Sequence, residues 1–278
     1  MRQKILRIKV MLFCHCQKVR NEMRVTVCQF DNRAERIEDS FSSLANHVQK
    51  HSSEFVLVPE MSFSSWLAAS NVPSAEAWLN AVEAHQEMIE RLAELGAKAV
   101  LGTRPVLDAG RRRNRAYLWL ESQDLTEFHD KWNLPDEEDY WEATWYDRGE
   151  KNFSTARYDD VRIGVTICTE MWFFEHARSY AKQRSHLLCV PRATPHGSTE
   201  KWLAGGRAAA VVSGAYCLSS NLYNPKGEGD NLGGLGWVID PEGNVLATAT
   251  PEDPFVTVEI DIDFAEKSKK TYPRYVAD

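Results

Sequence analysis

From Met23 onward, short apolar runs alternate with segments whose apolar residues recur every three or four positions. Runs of the first kind read as buried strands and segments of the second as amphipathic helices. Their alternation predicts an α/β layered domain rather than a helical bundle or a β-sandwich. Met23–Phe30 is strand-like, and Ile37, Phe41, Leu44 and Val48 mark one face of a helix. Glu54–Val58 follows as a strand closed by Pro59. A helix then carries Leu79, Val82, Gln86, Ile89, Leu92 and Leu95, with Gly96 placed for a left-handed C-cap. Further strands are expected at Ala99–Gly102, Ala116–Leu120 and Leu125–His129. An aromatic and acidic loop, Lys131–Gly149, leads to the strand Val161–Ile167, which ends at Cys168 and runs into a helix through Glu175, Ala177, Tyr180 and Ala181. Strand Leu187–Val190, helix Glu200–Val212 and strand Ala215–Leu222 repeat the alternation. Pro241-Glu242-Gly243-Asn244 marks a hairpin between Trp237–Ile239 and Val245–Ala247. No repeat or linker interrupts the pattern, so residues 23–278 read as a single domain. Residues 1–22 read as an N-terminal extension, and a start codon assigned too early is the favoured explanation.

Composition narrows the function classes. A chain of 278 residues with 43% hydrophobic content and nine tryptophans supports a substantial core. Its net charge of −7 provides no general attraction to nucleic acid or an acidic membrane, and no apolar run reaches 18 residues, so small-molecule chemistry is the better expectation. Six cysteines scattered over this length do not make a disulfide framework and point to a reducing, cytoplasmic compartment. Cys14-His15-Cys16 lacks a second Cys/His pair at metal-site spacing and is read as incidental.

Open α/β sheets place ligands beyond the carboxyl ends of their strands. Three residues stand at such ends: Glu60 after Val56–Pro59, Lys131 after Leu125–His129, and Cys168 after Val165–Ile167. A carboxylate, an ammonium and a thiol converging at one sheet edge form a plausible set for acyl transfer. Cys168 would be the nucleophile, its thiol made acidic by the amides of the following helix. Glu60 would take the thiol proton and return it to the leaving nitrogen. Lys131, with the backbone N–H of Thr169, would stabilise the oxyanion. Taken singly, each has a plain structural reading: a small buried hydrophobe, a helix cap and a surface charge. Cys189 and Cys217 are read in that plain way.

The surrounding motifs shift the balance. Val56-Leu57-Val58-Pro59-Glu60-Met61, Asp130-Lys131-Trp132-Asn133-Leu134-Pro135 and Ile163–Phe173 around Cys168 resemble, in that order, the three motifs of the nitrilase superfamily of carbon–nitrogen hydrolases. The resemblance extends from Met23 to about Tyr275, taking in Arg178 and the Gly236–Val245 segment. It implies a four-layer α-β-β-α sandwich, a Glu-Lys-Cys triad, a thioester intermediate, no metal or other cofactor, and a homodimer or larger homo-oligomer. In the amidase branches a second glutamate falls eleven residues after the lysine, which here is Glu142.

Departures from the family pattern also inform. Asn133 stands where those branches often keep a histidine, and it cannot titrate. Glu170 matches the acidic residue that many members carry after the cysteine. Met171 and Trp172 replace the arginine chemistry of carbamoyl-amino-acid hydrolases, leaving Arg192 as the residue able to grip a substrate carboxylate, or else to form a structural ion pair. Asn133, Thr169, Trp172 and Arg192 are thus the candidate substrate contacts. Trp132, Tyr140, Trp141, Trp145, Tyr146, Trp172, Phe173 and Phe174 suit either pocket walls or a subunit interface. Two rivals to an amidase stand beside it: a nitrilase working through a thioimidate, and a catalytically silent scaffold subunit.

Overall fold

A computed structural model describes residues 22–277. Cys14-His15-Cys16 and the rest of residues 1–21 lie outside the described residues. The first half of the fold comprises β1 (Glu22–Phe30), α1 (Ile37–His51), β2 (Phe55–Leu57), α2 (Ala75–Glu90), β3 (Ala99–Asp108), β4 (Arg111–Leu120) and β5 (Gln123–Asp130). After the Lys131–Gly149 loop, which contains the short α3 (Glu142–Trp145), come β6 (Ala156–Tyr158), β7 (Val161–Val165), α4 (Phe174–Lys182), β8 (Leu187–Arg192), α5 (Thr199–Ser213) and β9 (Tyr216–Leu222). β10 (Trp237–Ile239), β11 (Val245–Thr248), β12 (Phe255–Asp261) and α6 (Ile262–Ser268) close the chain.

The strands form two sheets, ordered β12-β1-β2-β3-β4-β5 and β6-β7-β8-β9-β10-β11. They meet where Gln29 and Phe30 at the end of β1 pair in parallel with Asn221 and Leu222 at the end of β9. The side-chain period of two then sorts the layers. Val25, Val27, Leu57, Leu101 and Leu118 of the first sheet share one buried core with Ile163, Val165, Leu218 and Val238 of the second. The alternate residues Phe30, Val56, Val58 and Val100 face outward and are covered by Phe41, Leu44 and Val48 of α1 and by Trp78, Met88 and Ile89 of α2. On the far side, α4 and α5 cover the second sheet through Ala177, Tyr180, Ala209 and Ala210. The result is the expected α-β-β-α layering. A fully buried leucine contributes about 1.5–3 kcal/mol, so these two apolar layers dominate stability.

One close approach matters for the site. A Cβ at Gly164 in β7 would lie 2.7 Å from the Tyr180 ring, so glycine lets α4 lie close against the strand that leads to Cys168. The Tyr180 hydroxyl then donates to the Val165 carbonyl oxygen at 2.8 Å, fixing that strand end. Gly96 takes φ +73 after a 3-10 turn at Leu92–Leu95, as its C-cap role requires.

Four elements differ from expectation. β6 is only three residues long, and it turns back onto β7 through Asp159 at φ +51. β12 and α6 have no counterpart among the expected elements. β12 is partly buried throughout Phe255–Val258 and alternates only over Glu259–Asp261, and its order comes from antiparallel pairing with β1 more than 200 residues away, which no local window contains. The segment after Cys168 is a 3-10 turn, Cys168–Trp172, and α4 begins only at Phe174.

Candidate active site

The loop after β2 crosses from one sheet to the other. Val58 N–H donates to the Leu101 carbonyl at 2.9 Å, and Glu60 N–H reaches the Arg192 carbonyl of β8 at 3.4 Å. Met61 takes φ +45, with its N–H donating to Thr103 Oγ1 at 3.0 Å. This kinked turn buries the Glu60 carboxylate completely. Lys131 leaves the end of β5 with its N–H on the Asn114 carbonyl at 2.9 Å and its own carbonyl accepting from Gly149 N–H at 3.0 Å. Cys168 takes φ +50, a left-handed conformation unusual for a side chain that must point into a site. Two strained residues, Met61 and Cys168, therefore flank the same edge.

The structure brings three charged side chains together there. Lys131 Nζ lies 2.8 Å from Glu60 Oε1 and 2.5 Å from Glu142 Oε2. Asn114 Nδ2 donates to the same Glu60 Oε1 at 2.6 Å, and Tyr146 donates its hydroxyl to Glu142 Oε2. Both carboxylates keep one oxygen free: Glu60 Oε2 and Glu142 Oε1 are buried with no hydrogen-bond partner among the described residues. A buried carboxylate oxygen without a donor is costly, and it is poised to receive a proton.

Burial disfavours the charge on Lys131, but Glu142 and Glu60 outweigh it and hold the ammonium above its usual range. For Glu142 burial dominates; with Glu60 adding to it and Lys131 opposing, the carboxyl is pushed up to about 7. The thiol of Cys168 moves opposite to the sequence expectation: burial first, then the negative charge of Glu60, pushes it up, with Lys131 opposing. A five-residue 3-10 turn replaces the expected helix start and leaves the sulfur buried, its thiol donating to Ala193 O at 3.7 Å. Burial therefore keeps the Cys168 thiol protonated at neutral pH.

Cys168, Glu142, Thr169 and Trp172 line a cavity of about 260 Å³ with Pro135, Glu137, Tyr140, Ala193, Thr194, Pro195, Ser198, Lys201 and Trp202. Glu60 and Lys131 lie behind this lining. A Cβ at Gly205 of α5 would lie 2.8 Å from Met171 and Trp172, so glycine lets that wall pack. A larger cleft of about 400 Å³ is lined by Asp108, Arg113, Arg115, Glu127 and Asp130. It lies beside β4 and β5, its Arg115 is engaged by Asp108, Glu127 and Asp130, and it holds none of the acyl-transfer groups.

Two candidate substrate contacts lie away from this lining. Asn133 does not line the cavity, and its Oδ1 lies 3.1 Å from His176 Nε2. Arg192 is fully buried and does not reach the cavity either; its guanidinium donates to Ser219 Oγ, Thr194 Oγ1 and the Leu235 carbonyl. It also forms no ion pair among the described residues. Of the eight aromatics considered, Tyr140 and Trp172 line the cavity. Trp145 and Tyr146 are core residues beside Trp78 and Trp66, and Trp132 packs under Arg148. Cys189 and Cys217 are fully buried free thiols.

Other residues went unnoticed in the sequence or lacked a role. Asn114 has no strand-end signal, because it lies within β4. Lys201 comes from a helix far along the chain, and its ammonium stands 5.6 Å from the Trp172 ring centroid at the cavity wall. Glu170 was visible as a motif residue, but its partner His129 was not.

Comparison with known proteins follows the same lines. The carbon-nitrogen hydrolase profile matches residues 24–270. The chain is 32% identical over 116 residues to a chloroplastic omega-amidase of Arabidopsis thaliana, covering 41% of this chain and 31% of that protein. It is 27% identical over 173 residues to a deaminated glutathione amidase of Synechocystis, covering 60% and 64%. These alignments span less than two thirds of either relative. A carbon-nitrogen hydrolase from Helicobacter pylori G27 shares the fold with a TM-score of 0.79 at 19% identity, over 91% of this chain and 94% of that one.

Proposed function

The chain belongs to the carbon-nitrogen hydrolase family, and from that premise we propose that it hydrolyses the carbon–nitrogen bond of a small amide through a thioester on Cys168. The observation that carries this reading is the buried Glu60–Lys131–Glu142 cluster set behind a cavity that Cys168 lines. The thiol starts neutral, so attack needs a base in place. The unpartnered Glu60 Oε2 takes the Sγ proton as sulfur adds to the carbonyl carbon. The oxyanion that forms is held by the Lys131 ammonium and the N–H of Thr169. As the C–N bond breaks, Glu60 gives the proton to nitrogen and ammonia or an amine leaves. Water then adds to the thioester, losing a proton to a free carboxylate oxygen, and the carboxylic acid departs with the thiol restored. Glu142 holds Lys131 in place and presents its free Oε1 to the cavity.

The cavity's composition supports an amide with an anionic far end. Among the described residues Lys201 is the only basic one on its wall, beside flat walls from Tyr140, Trp172 and Trp202, while Glu137 is the carboxylate of the lining besides Glu142. Free buried thiols suit a reducing compartment such as the cytoplasm, and among the described residues no helix is long and apolar enough to cross a membrane. Residues 23–278 acting as one domain and pairing into a homodimer complete the reading.

The test is ammonia release from matched amides and nitriles by the wild type and Cys168→Ala. Release from amides alone, abolished in the variant, is expected. Release from nitriles alone would replace the amidase reading with the thioimidate one, and silence on both would favour a scaffold role.

A further inference from the structure

Arg192 ends β8, has no exposed surface, and is a cation without an anion. Its Nε donates to Ser219 Oγ at 2.7 Å, one terminal nitrogen to Thr194 Oγ1 at 3.0 Å and the other to the Leu235 carbonyl at 2.5 Å. The guanidinium lies 4.0 Å from the Trp237 ring centroid and 5.5 Å from that of Trp202. Every one of these partners is neutral, and among the described residues no carboxylate pairs with it. An arginine usually enters a protein interior with a carboxylate, because a buried charge left alone costs several kcal/mol.

The guanidinium backs onto the cavity that Cys168 lines, since Thr194 and Trp202, both against it, form part of that wall. The backbone of Arg192 accepts from Glu60 N–H, and the next carbonyl, Ala193 O, is the one beside Cys168 Sγ. The groups near the guanidinium that can become negative are the thiols of Cys168 and Cys217. Cys217 is a core residue of β9 and does not line the cavity. The other charged or titratable groups facing the Cys168 thiol are Glu60, Lys131, Glu142 and Tyr140. The Lys131 ammonium is already engaged by Glu60 and Glu142, which leaves Arg192 as the cation behind the opposite wall of the cavity.

We propose that Arg192 is a positioning residue of the buried site, whose guanidinium behind Thr194 and Trp202 opposes the negative charge that forms when Cys168 becomes a thiolate. Passing the thiol proton to Glu60 then leaves the sulfur's charge facing a fixed cation rather than an apolar wall. The same cation opposes the negative charge of the tetrahedral intermediate. Thr194 and Trp202, both held by the guanidinium, carry its position into the cavity wall. The catalytic consequence rests on the thioester reading above.

The experiment follows alkylation of Cys168 by iodoacetamide from pH 5 to 10, read by peptide mass, in the wild type, Arg192→Met and Arg192→Lys. Because the raised thiol ionises only at the alkaline end of this range, the readout is the rate at each pH: loss of the charge is expected to slow alkylation about tenfold at pH 7.5 and along the rising limb. The lysine variant, which keeps the charge but loses most of the hydrogen bonds, is expected to stay within about twofold of the wild-type rate. On an amide substrate the methionine variant should lose kcat more than it changes KM. Should Arg192→Met fail to fold, Arg192→Gln, neutral but still a donor to Ser219 or Thr194, carries the same expectation. Identical profiles for the wild type and a neutral variant, or equal slowing of the lysine and neutral variants, would overturn the proposal. Because alkylation needs no substrate, a failed amide assay would refute the functional reading and leave this comparison standing.

Discussion

Glu170 and His129 form an ion pair with no exposed side-chain surface, His129 Nε2 lying 2.9 Å from Oε2 and 3.0 Å from Oε1. The other ring nitrogen faces the Asn152 carbonyl at 2.9 Å, so both nitrogens must carry hydrogen and the ring is an imidazolium. The same carboxylate accepts from Trp132 N–H and from Ile167 N–H, each at 2.7 Å. One side chain thus joins the residue after Lys131 to the residue before Cys168. Burial works against both charges, but each partner outweighs it: Glu170 is held below its usual range and His129 above its own.

Glu170→Gln should therefore destabilise the fold by about 3–5 kcal/mol, the usual cost of leaving one buried charge without its partner. Urea unfolding measures this directly. The pH dependence has a defined sign. The Glu170 contribution is present above its ordinary value of 4.5 and lost as pH falls through its depressed folded value. The His129 contribution is present below its ordinary value of 6.5 and lost as pH rises through its raised folded value. The gap between wild type and variant should be widest between about 4.5 and 6.5 and narrow on either side. A gap independent of pH would show that the pair acts through packing alone.

Lys131→Met removes the one cation between two buried carboxylates. Amide turnover should fall at least about a thousandfold, since both oxyanion stabilisation and carboxylate placement are lost. The variant should also take up one more proton than the wild type near neutral pH, because Glu60 and Glu142 cannot both remain ionised side by side. Potentiometric titration of the two proteins tests this. Equal proton counts would mean that solvent reaches the carboxylates.

Glu142 is pushed up to about 7, mainly by burial. If its ionised form holds the ammonium during turnover, kcat/KM on an uncharged amide should rise with pH through about that value. Glu142→Gln should flatten this acid limb and lower the plateau about 10²-fold. An unchanged limb in the variant would assign it to another group.

Lys201 should set the preference for charge at the far end of the substrate. Lys201→Glu is expected to lower kcat/KM for a carboxylated amide about 10- to 100-fold, within the 1.5–3 kcal/mol of a charge-assisted hydrogen bond, while leaving an uncharged amide of similar length within about threefold. Equal losses on both substrates would place Lys201 in the wall rather than at the substrate.

Much of this was legible in the sequence because it depends on local pattern. β7 from Ile163 onward and β8 are buried on both faces, their Ile163–Val165 and Leu187–Pro191 stretches read as apolar runs, and the residues beyond strand ends, Glu60, Lys131 and Cys168, stand out where such runs stop. What stayed hidden depends on distance in sequence. Asn114 reaches Glu60 across 54 residues and His129 reaches Glu170 across 41, and neither has a neighbour that announces it. Arg192 illustrates the limit most clearly. A strand-end arginine suggests an exposed anion grip, but the direction of its side chain is set by Ser219 and Leu235, contributed by β9 and the loop after it. The raised thiol has the same origin, because whether a strand passes into an α-helix or a 3-10 turn depends on how α4 packs.

The most direct test is the mass of the enzyme caught in mid-reaction. Wild-type protein mixed with a carboxylated primary amide and quenched in acid should carry an adduct on the Cys168 peptide equal to the substrate less ammonia. Glu142→Gln, if deacylation is the slower step for it, should accumulate more. Ammonia release that persists in Cys168→Ala, with no adduct on the wild-type peptide, would contradict a thioester on Cys168 and with it the reading of the whole site.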